Sequence, residues 1–505
     1  MISKDQRLNW IKSIKSAQNE QRKALSLKQS EIMNDRLFQY VEEELKRHFS
    51  PETVKEMPIV SFINFPRRIV NQEASVYKNS PMRTFTGLNE QQSEVVSEVY
   101  EDARIDVKMR SANKKYKLQD QTHLYILPVN GVLQARSLYQ HQIDAIPDPR
   151  DPERAMGYVI SAFDKERYLT YQNAKTATGR LGQSQIGTTL AGTQNEVASK
   201  DDYKLALEFY TYWDEEHNFI MNGNGDLIDP TTREIIQNPE ESDWLSPIPG
   251  IIPIVDISSE KDFEYFVRSG LAISDFGVQY NAALSDAWHL ARMQGYSIGV
   301  IKGPADMIPN HMVLGPNVIM RLVTEPGRVE SGDVDFDFKS PNPDIEGTLK
   351  ILETMLMNFI SSRGLDPKEI ASTGSKSYAS ALERMLAMID EFEASKDDFK
   401  LFKRIEDQIY RIIKAYLNNA PDQLLAKYRT SIPDESYLTI KFDEPEMVQT
   451  KSERLDYWAK RIDMGLATRQ EAIADLDDLN EEQADMAVEL INRTRFGATS
   501  ENESN

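Results

Sequence analysis

Residues 376–419 read KSYASALERMLAMIDEFEASKDDFKLFKRIEDQIYRIIKAYLNN, and this stretch decides the fold more than any other part of the chain. Its large apolar residues recur at alternating steps near three and four, which is the spacing of one face of a long helix. The stripe consists of Leu382, Met385, Ile389, Phe392, Phe399, Phe402, Ile409 and Tyr416, and polar Lys396 and Glu406 interrupt it. A helix of this length organises contacts and supplies no reacting groups, so the stretch favours a structural protein over an enzyme.

Upstream of this helix, two shorter helical segments bracket a segment with strand character. Residues 260–294 and 345–363 have helical periodicity, whereas residues 296–339 are divided into short β-like pieces. The divisions fall at Gly303-Pro304, Gly315-Pro316 and Pro326-Gly327. The order predicts two helices joined by a β-rich segment.

The sequence also predicts where these two helices begin, end and pack. Ser258 or Ser259 is expected to cap the first helix, with Asp262 placed for a capping box. Its predicted packed face is Phe276, Tyr280, Leu284 and Trp288. The predicted stripe of the second helix is Leu349, Leu352, Leu356 and Phe359, and Gly364 is its C-terminal stop.

The rest of the chain alternates helices and strands, which predicts an α+β fold. The predicted helices are residues 35–48, 91–109 and an acidic two-helix unit at 447–495; the predicted strands are 123–128, 132–137, 156–163, 206–213 and 437–442. Val129-Asn130-Gly131 is a strong hairpin turn between two of these strands. A second hairpin is predicted over residues 218–229.

Composition limits the class of protein. At 505 residues the chain exceeds what one hydrophobic core serves, so several domains are expected. Its net charge of −21 excludes bulk attraction to nucleic acid, so any DNA contact must be local. It has no cysteine, no apolar segment near its start and no membrane-length apolar run. These features predict a soluble protein assembled in a reducing cytoplasm.

The first 30 residues form a basic arm on this acidic chain. They carry seven Lys and Arg residues against Asp5 and Glu20, with a short apolar stripe of Leu8, Ile11 and Ile14. Two interpretations remain open from sequence. The arm docks one face on its own domain, or it contacts DNA or another acidic partner.

Several motifs suggest chemistry, but none is complete. The loop 182–189 has phosphate-loop glycines, but Thr188 stands where a lysine is needed. Residues 222–226 resemble the start of a calcium loop, but Arg233 replaces the bidentate glutamate, so a hairpin turn is the preferred interpretation. The six histidines have no metal-ligand spacing, and no serine nucleophile elbow exists. We therefore predict no catalytic residues, metal or cofactor.

One acidic cluster keeps an enzymatic alternative open. Asp333, Asp335 and Asp337 alternate with apolar residues, so on a strand they share one face. That face is either solvated or a metal site, and a metal site would fit a metal-dependent nuclease.

Ordered phrases along the chain resemble the portal proteins of tailed bacteriophages, of the type found in Bacillus siphophages. The phrases are Arg68-Ile69-Val70, Ala74-Ser75-Val76-Tyr77, Ile252-Pro253-Ile254-Val255, Asp262-Phe263, Tyr280-Asn281, Gly299-Val300-Ile301-Lys302-Gly303, Leu438-Thr439-Ile440-Lys441-Phe442 and residues 463–471. Together they span roughly residues 60–495 in order. One departure is Ala379-Ser380, where the family pattern has a glycine before Ala-Leu.

The resemblance implies a portal-like fold and assigns its regions. They are a basic N-terminal arm (1–30), a mixed α/β wing (31–256), stem helix 1 (257–294), a β-rich clip (295–342), stem helix 2 (343–365), a tunnel loop (366–377), the long wing helix with a closing strand (378–445), a helical crown (446–495) and a disordered tail (496–505). In that fold the tunnel loop faces the DNA channel, and its residues here are Lys368, Ser372, Thr373, Gly374, Ser375 and Lys376.

The resemblance also implies a function and its partners. A portal is a twelve-membered ring at the head–tail vertex of the virion, assembled in the host cytoplasm, through which double-stranded DNA is packaged and ejected without sequence recognition. Its implied partners are the major capsid protein, the scaffold protein, the large terminase subunit and the head–tail adaptor, with no membrane. The alternatives are the metal-dependent nuclease and another head protein, either capsid or scaffold.

Overall fold

The computed structural model describes most of the chain, which divides into two units, residues 1–443 and 444–505. The described residues are 2–163, 208–230, 232–240, 243–268, 270, 272–294, 298–302, 335–339, 344–365, 367, 381–421, 424–425, 427–428, 430–442, 451–465, 467–476, 486 and 488.

Helices α1 to α7 come first in the first unit. Their bounds are Lys4–Ile14, Ala17–Met33, Phe38–His48, Pro51–Glu56, Phe65–Glu73, Glu90–Asp102 and Ile105–Gln119. Three longer helices follow later, namely α8 (Ala272–Gln294), α9 (Ile345–Ser362) and α10 (Ala381–Asn419). Helices α1 and α6 begin at full capping boxes, in which the side chains of Ser3 and Asn89 accept backbone N–H groups of the first turn.

The described strands of this unit pair only in antiparallel fashion. In chain order, β1 to β11 are Met82–Thr86, Gln121–Val129, Val132–Leu138, Ile143–Asp148, Asp151–Phe163, Glu208–Asp214, Asn218–Asn222, Ile254–Ser258, Ile298–Lys302, Asp335–Lys339 and Tyr437–Lys441. They form the sheets β1-β11, β9-β10, β3-β2-β8 and β4-β5-β6-β7. Helices combined with antiparallel sheets confirm the α+β class.

The predicted hairpin between β2 and β3 is confirmed in register. Val129 pairs with Val132, and Asn130 and Gly131 between them have φ angles of 52° and 83°. A two-residue turn with both central residues left-handed matches the twist of the flanking strands, which is why Asn-Gly is favoured there. The predicted strand 206–213 corresponds to β6.

Helix α10 supplies one wall of the main core. Phe402, Ile409 and Tyr416 from its predicted stripe are all fully buried, and the Tyr416 hydroxyl donates to the carbonyl oxygen of Ile126 on β2. The stripe residues before Phe399 lie where side chains are not described. The long helix is therefore a central part of the core and not an exposed spacer.

A buried ion pair fastens α10 to the rest of the core. Glu406, which interrupts the stripe, is fully buried and accepts two hydrogen bonds from Arg83 on β1, at 2.7 and 3.0 Å. It also accepts the hydroxyl of Tyr77 at 2.8 Å. Burial lowers the pKa of Arg83, but the bonds to Glu406 and Asp106 outweigh burial and leave that pKa raised.

The prediction of a single helix over residues 91–109 is wrong, because the chain breaks between α6 and α7. Arg104 adopts a left-handed φ of 52° at the break. Its neighbours Ala103 and Ile105 are both buried, and the turn brings Asp106 to 2.6 Å from Arg83. Tertiary packing thus overrides a continuous helical pattern.

The prediction that stem helix 1 spans residues 257–294, with a capped helix from about residue 260, is also wrong. Residues up to Ser258 belong to β8, and α8 begins at Ala272. The intervening residues 259–268, here called the strap, are irregular, and Phe263 in the strap has a left-handed φ of 55°.

Side chains from the sheets hold the strap in place. The backbone N–H of Val267 donates to Gln121 and that of Phe263 donates to Glu153, so these donors are not available to a helix. Tyr265 is buried, its hydroxyl 2.9 Å from Nε2 of His123 and 2.9 Å from the hydroxyl of Tyr158. Sequence periodicity cannot reveal hydrogen bonds to side chains that are so distant in the chain.

The basic arm docks on its own unit, which favours the first of its two interpretations. Its ion pairs are Lys4–Asp226, Lys15–Glu208, Arg22–Asp144, Lys23–Asp144 and Lys28–Asp275, all between 2.5 and 2.9 Å. Ile11 and Ile14 pack against strands β5 to β7. The arm's cations therefore neutralise carboxylates of the same chain.

The calcium-like motif forms a turn closed by this arm. Oδ1 of Asn222 accepts the backbone N–H groups of Asn224 and Asp226, each at 2.9 Å. The Asp226 carboxylate pairs with Lys4, and the carbonyl oxygen of Gly225 accepts from Arg7. The hairpin interpretation of residues 222–226 is confirmed.

The second unit contains two short described helices, α11 (Lys451–Asp463) and α12 (Arg469–Leu476). Gly465 follows α11 with a φ of 70°. Thr468 and Glu471 exchange hydrogen bonds in a capping box that starts α12. The predicted tail, 496–505, lies outside the described residues.

Two histidines, buried His123 and half-buried His141, should make the stability of the first unit depend on pH. Burial lowers the pKa of His123, beside the strap, and of His141, whose Nδ1 lies 3.0 Å from Ser26 of the arm, to about 4 in each case. The unfolded chain then binds up to two more protons between about pH 4 and 6.5, so stability should fall as pH falls, by at most about 2.7 kcal/mol per pH unit.

This effect can be isolated by urea unfolding at several pH values. The double variant His123→Gln/His141→Gln should show a smaller loss of stability between neutral and mildly acidic pH than the parent protein. His48→Gln, at the exposed end of α3, is the matched control and should leave the slope unchanged. Equal slopes in all three proteins would show that neither imidazole resists protonation.

Candidate subunit interface

Helix α8 is positioned by close packing on α5. A Cβ added to Gly277 would lie 2.3 Å from Cγ of Pro66, so only glycine allows the two helices to approach this closely. Ile273 of α8 and Phe65 and Ile69 of α5 share one buried cluster. Glycine weakens a helix, and this close contact explains why α8 nevertheless has glycine at position 277.

Polar side chains on the same face fix α8 further. Asn281 donates to the carbonyl oxygen of Ile63 at 2.8 Å, and the hydroxyl of Ser285 accepts the backbone N–H of Val60 at 2.8 Å. Both residues are fully buried. The buried face of α8 thus includes small and polar residues beside apolar Ile273, and a pattern of large apolar residues does not reveal them.

Helices α8 and α9 pack antiparallel. The rings of Phe276, near the start of α8, and Phe359, near the end of α9, stack at 4.1 Å. Leu356 and Ile360 of α9 join the buried cluster that contains Ile273. In the chain, β9 follows the end of α8 and β10 precedes the start of α9. The two strands pair with each other, with Ile298 opposite Lys339.

Much of the apolar surface of this helix pair is not covered by the described residues of the chain. On α9, Leu352, Leu356 and Ile360 are buried, whereas Leu349, Ile351 and Met355 are 46%, 62% and 52% exposed. On α8, Trp288 is 55% exposed. The described residues therefore leave two members of the predicted stripes, Trp288 and Leu349, largely uncovered, whereas Tyr280 packs edge-on to Phe65.

Helix α9 has more apolar surface than the described residues of the chain cover. Its sequence, IEGTLKILETMLMNFISS, has only three charged residues. A helix that is hydrophobic nearly all round is normally buried. Ile351 and Met355 are one helical turn apart and form an exposed row beside the buried one, which is the arrangement expected of a helix that a second copy covers.

The predicted DNA-channel residues Lys368, Ser372, Thr373, Gly374, Ser375 and Lys376 lie outside the described residues, as do residues 303–334 of the predicted clip. Of the predicted clip, the structure describes β9 and β10, which lie near its two ends. Asp335 and Asp337 lie on alternate positions of β10, and Asp333 is not described.

No metal or membrane site emerges from the described part of the chain. Within it, no group of three or more His, Asp or Glu side chains is arranged to hold a metal ion. None of the described helices is long and apolar enough to cross a membrane.

Comparisons with known proteins give structural neighbours only. No protein-family model matches the chain, and no curated protein matches it. It is similar to chains from three solved structures: the virion of a native gene transfer agent particle (14% identity, TM-score 0.32), the neck of an empty particle with C6 symmetry (15%, 0.34) and the neck of a native particle with C12 symmetry (15%, 0.36). Each similarity covers 82% of this chain and 89% of the other.

Replacing Gly277 should loosen α8 from α5. Gly277→Ala should lower the free energy of unfolding by about 1–3 kcal/mol, because the new methyl group overlaps Pro66. The usual helix preference for alanine, about 1 kcal/mol, acts in the opposite direction. Urea unfolding measures the net effect, and Gly270→Ala, where an added Cβ meets nothing within 4 Å, is the control. An unchanged or raised stability of Gly277→Ala would contradict this packing.

Polar replacements in the exposed row of α9 should affect association and not folding. Ile351→Ser/Met355→Ser should change subunit stability by less than about 0.5 kcal/mol per site, since both side chains are exposed. Oligomers seen by sedimentation velocity should be lost. Met82→Ser/Leu245→Ser removes comparably exposed apolar groups elsewhere and should leave oligomers intact. Oligomers that survive the α9 changes would exclude this row as an interface.

Proposed function

We propose that this chain is the ring subunit of a tailed-phage portal, and that α8 and α9 form its stem. The observation that carries the proposal is the α8–α9 pair. Two antiparallel helices are joined through an antiparallel strand pair, and α9 has an apolar row that the described residues leave exposed. The ordered resemblance to portal proteins supplies the identity of the assembly.

The geometry of this pair suits a closed ring. Rings form when each subunit presents two different surfaces that meet head to tail. The exposed row of α9 offers one such surface, and Trp288 on α8 lies on the other helix of the pair. Twelve copies, as the resemblance implies, would bury both surfaces without leaving an edge.

The net charge supports passage of DNA rather than storage of DNA on the protein. A chain at −21 repels a duplex over most of its surface, so a channel built from it would not hold DNA in place. Within this proposal the tunnel loop, with Lys368 and Lys376, provides weak phosphate contacts without base recognition.

The remaining regions take their proposed roles from the same resemblance. The clip, residues 295–342, docks the terminase motor during packaging and the head–tail adaptor afterwards. The acidic unit from residue 446 forms the crown on the capsid side. Capsid and scaffold proteins would contact the wing during head assembly.

The nuclease alternative rests on residues 333–337 alone. In β10, which pairs with β9, Asp335 and Asp337 occupy alternate positions. A strand face opposite apolar Phe336 and Phe338 is equally the expected solvated face of a two-stranded ribbon. The portal proposal accounts for the helices as well and is preferred.

Negative-stain microscopy of the purified chain tests the proposal directly. We expect twelve-fold rings with a central channel wide enough for duplex DNA, and no cleavage of plasmid DNA when Mg²⁺ or Mn²⁺ is added. A monodisperse monomer with metal-dependent nuclease activity would overturn the proposal. Shells or elongated dimers without a channel would favour a capsid or scaffold protein instead.

A further inference from the structure

A cationic cluster lies where α7 packs beside α5. Arg110 and Lys114 are one turn apart on α7, with Arg67 on α5 and Lys78 just after α5 beside them. Arg67, Lys78 and Arg110 are exposed and Lys114 is half-buried. These four residues are called the α5–α7 cluster below.

The structure holds one member of the cluster in a fixed orientation. Nε of Arg110 donates to the carbonyl oxygen of Tyr77 at 2.8 Å, and Nη2 donates to that of Lys78 at 2.9 Å. Both acceptors are neutral, so the positive charge of Arg110 is not cancelled. Among the described residues, no carboxylate lies within ion-pair distance of Arg110 or Lys114.

Like charges in the cluster act on one another. The pKa of Lys114 is lowered, first by burial and then by Arg110 and Arg67. Like charges four residues apart on a helix also cost a few tenths of a kcal/mol. Arg67 alone has a carboxylate partner, Asp35. An incoming anion would relieve this repulsion.

The cluster contrasts with the other cations of the same unit. In a chain with 80 acidic and 59 basic residues, carboxylates are plentiful. Lys15, Lys28 and Lys400 each lie within 3.0 Å of one, and Lys427 contacts two. Arg110 and Lys114 differ from these paired cations, because neither lies within ion-pair distance of a carboxylate of the described residues.

We propose that the α5–α7 cluster binds the phosphodiester backbone of double-stranded DNA without sequence preference. The choice of DNA as the polyanion rests on the portal function proposed above. The cluster consists of other residues than the predicted tunnel loop, 366–377. Exposed cations on neighbouring elements suit contacts to a phosphate backbone, whereas an extended acidic peptide needs a groove for its own main chain.

The proposal is tested with the full-length assembled protein and a short labelled duplex of arbitrary sequence. Fluorescence anisotropy across a salt series gives the dependence of affinity on salt. Arg110→Ala/Lys114→Ala should weaken binding and reduce the slope of log affinity against log salt by about 2, one for each lost phosphate contact. Arg110→Lys keeps the charge without the two carbonyl bonds and should retain most of the slope.

The matched control is Lys400→Ala/Arg411→Ala. It changes the net charge by the same amount, but it removes exposed cations that already pair with Asp397 and Asp407. Its slope should equal that of the parent protein. If the control and the α5–α7 variant lower the slope equally, the cluster contributes only general charge and the proposal is wrong.

Two further experiments distinguish the DNA site from a protein-binding site and test it separately from the portal proposal. Binding of a synthetic acidic peptide, residues 469–489, but not of duplex DNA would assign the cluster to a protein partner and reject the DNA site. Microscopy of the α5–α7 variant tests the ring independently. Rings that form normally and bind DNA as the parent does would overturn this inference while leaving the portal proposal intact.

Discussion

The ion pair between Arg83 and Glu406 is the constraint on which the core of the first unit depends. Glu406 is fully buried on the longest helix, where an unpaired carboxylate would be very costly. Arg83 meets it with two hydrogen bonds and contacts Asp106 as well, so three elements distant in sequence are fixed by one guanidinium. Removing one member of such a pair typically costs about 3–5 kcal/mol, because the other charge stays buried alone.

This pair explains features that local rules cannot. β1 and β11 are short strands from opposite ends of the unit, and only Phe85, Leu438 and Ile440 of their alternating residues reach the core. Arg83 adds an electrostatic tie from β1 to α10. The left-handed Arg104 has the same origin, since the break it makes lets Asp106 reach Arg83.

The sequence predicts elements well where one local cause dominates. The heptad-like stripe predicts α10, and Val129-Asn130-Gly131 predicts the hairpin between β2 and β3. The predictions fail where a distant side chain intervenes. The strap is not helical because Gln121 and Glu153 bind its backbone N–H groups, and these partners lie over 100 positions away in the chain. The exposed Trp288 shows a further limit. A stripe of large apolar residues does not reveal whether the covering surface belongs to the same chain.

The two faces of the α8–α9 pair differ in the kinds of residue that form them. The face of α8 toward the chain includes Gly277, Asn281 and Ser285, which make close and specific contacts with residues 60–66. The face of α9 away from the chain carries Ile351 and Met355, large side chains that the described residues leave exposed. Small and polar residues suit a contact that forms once, during folding. Flexible apolar residues tolerate small changes of packing angle, as methionine does in adaptable interfaces. The proposed ring would then combine fixed packing inside each α8–α9 pair with adjustable packing between neighbouring pairs.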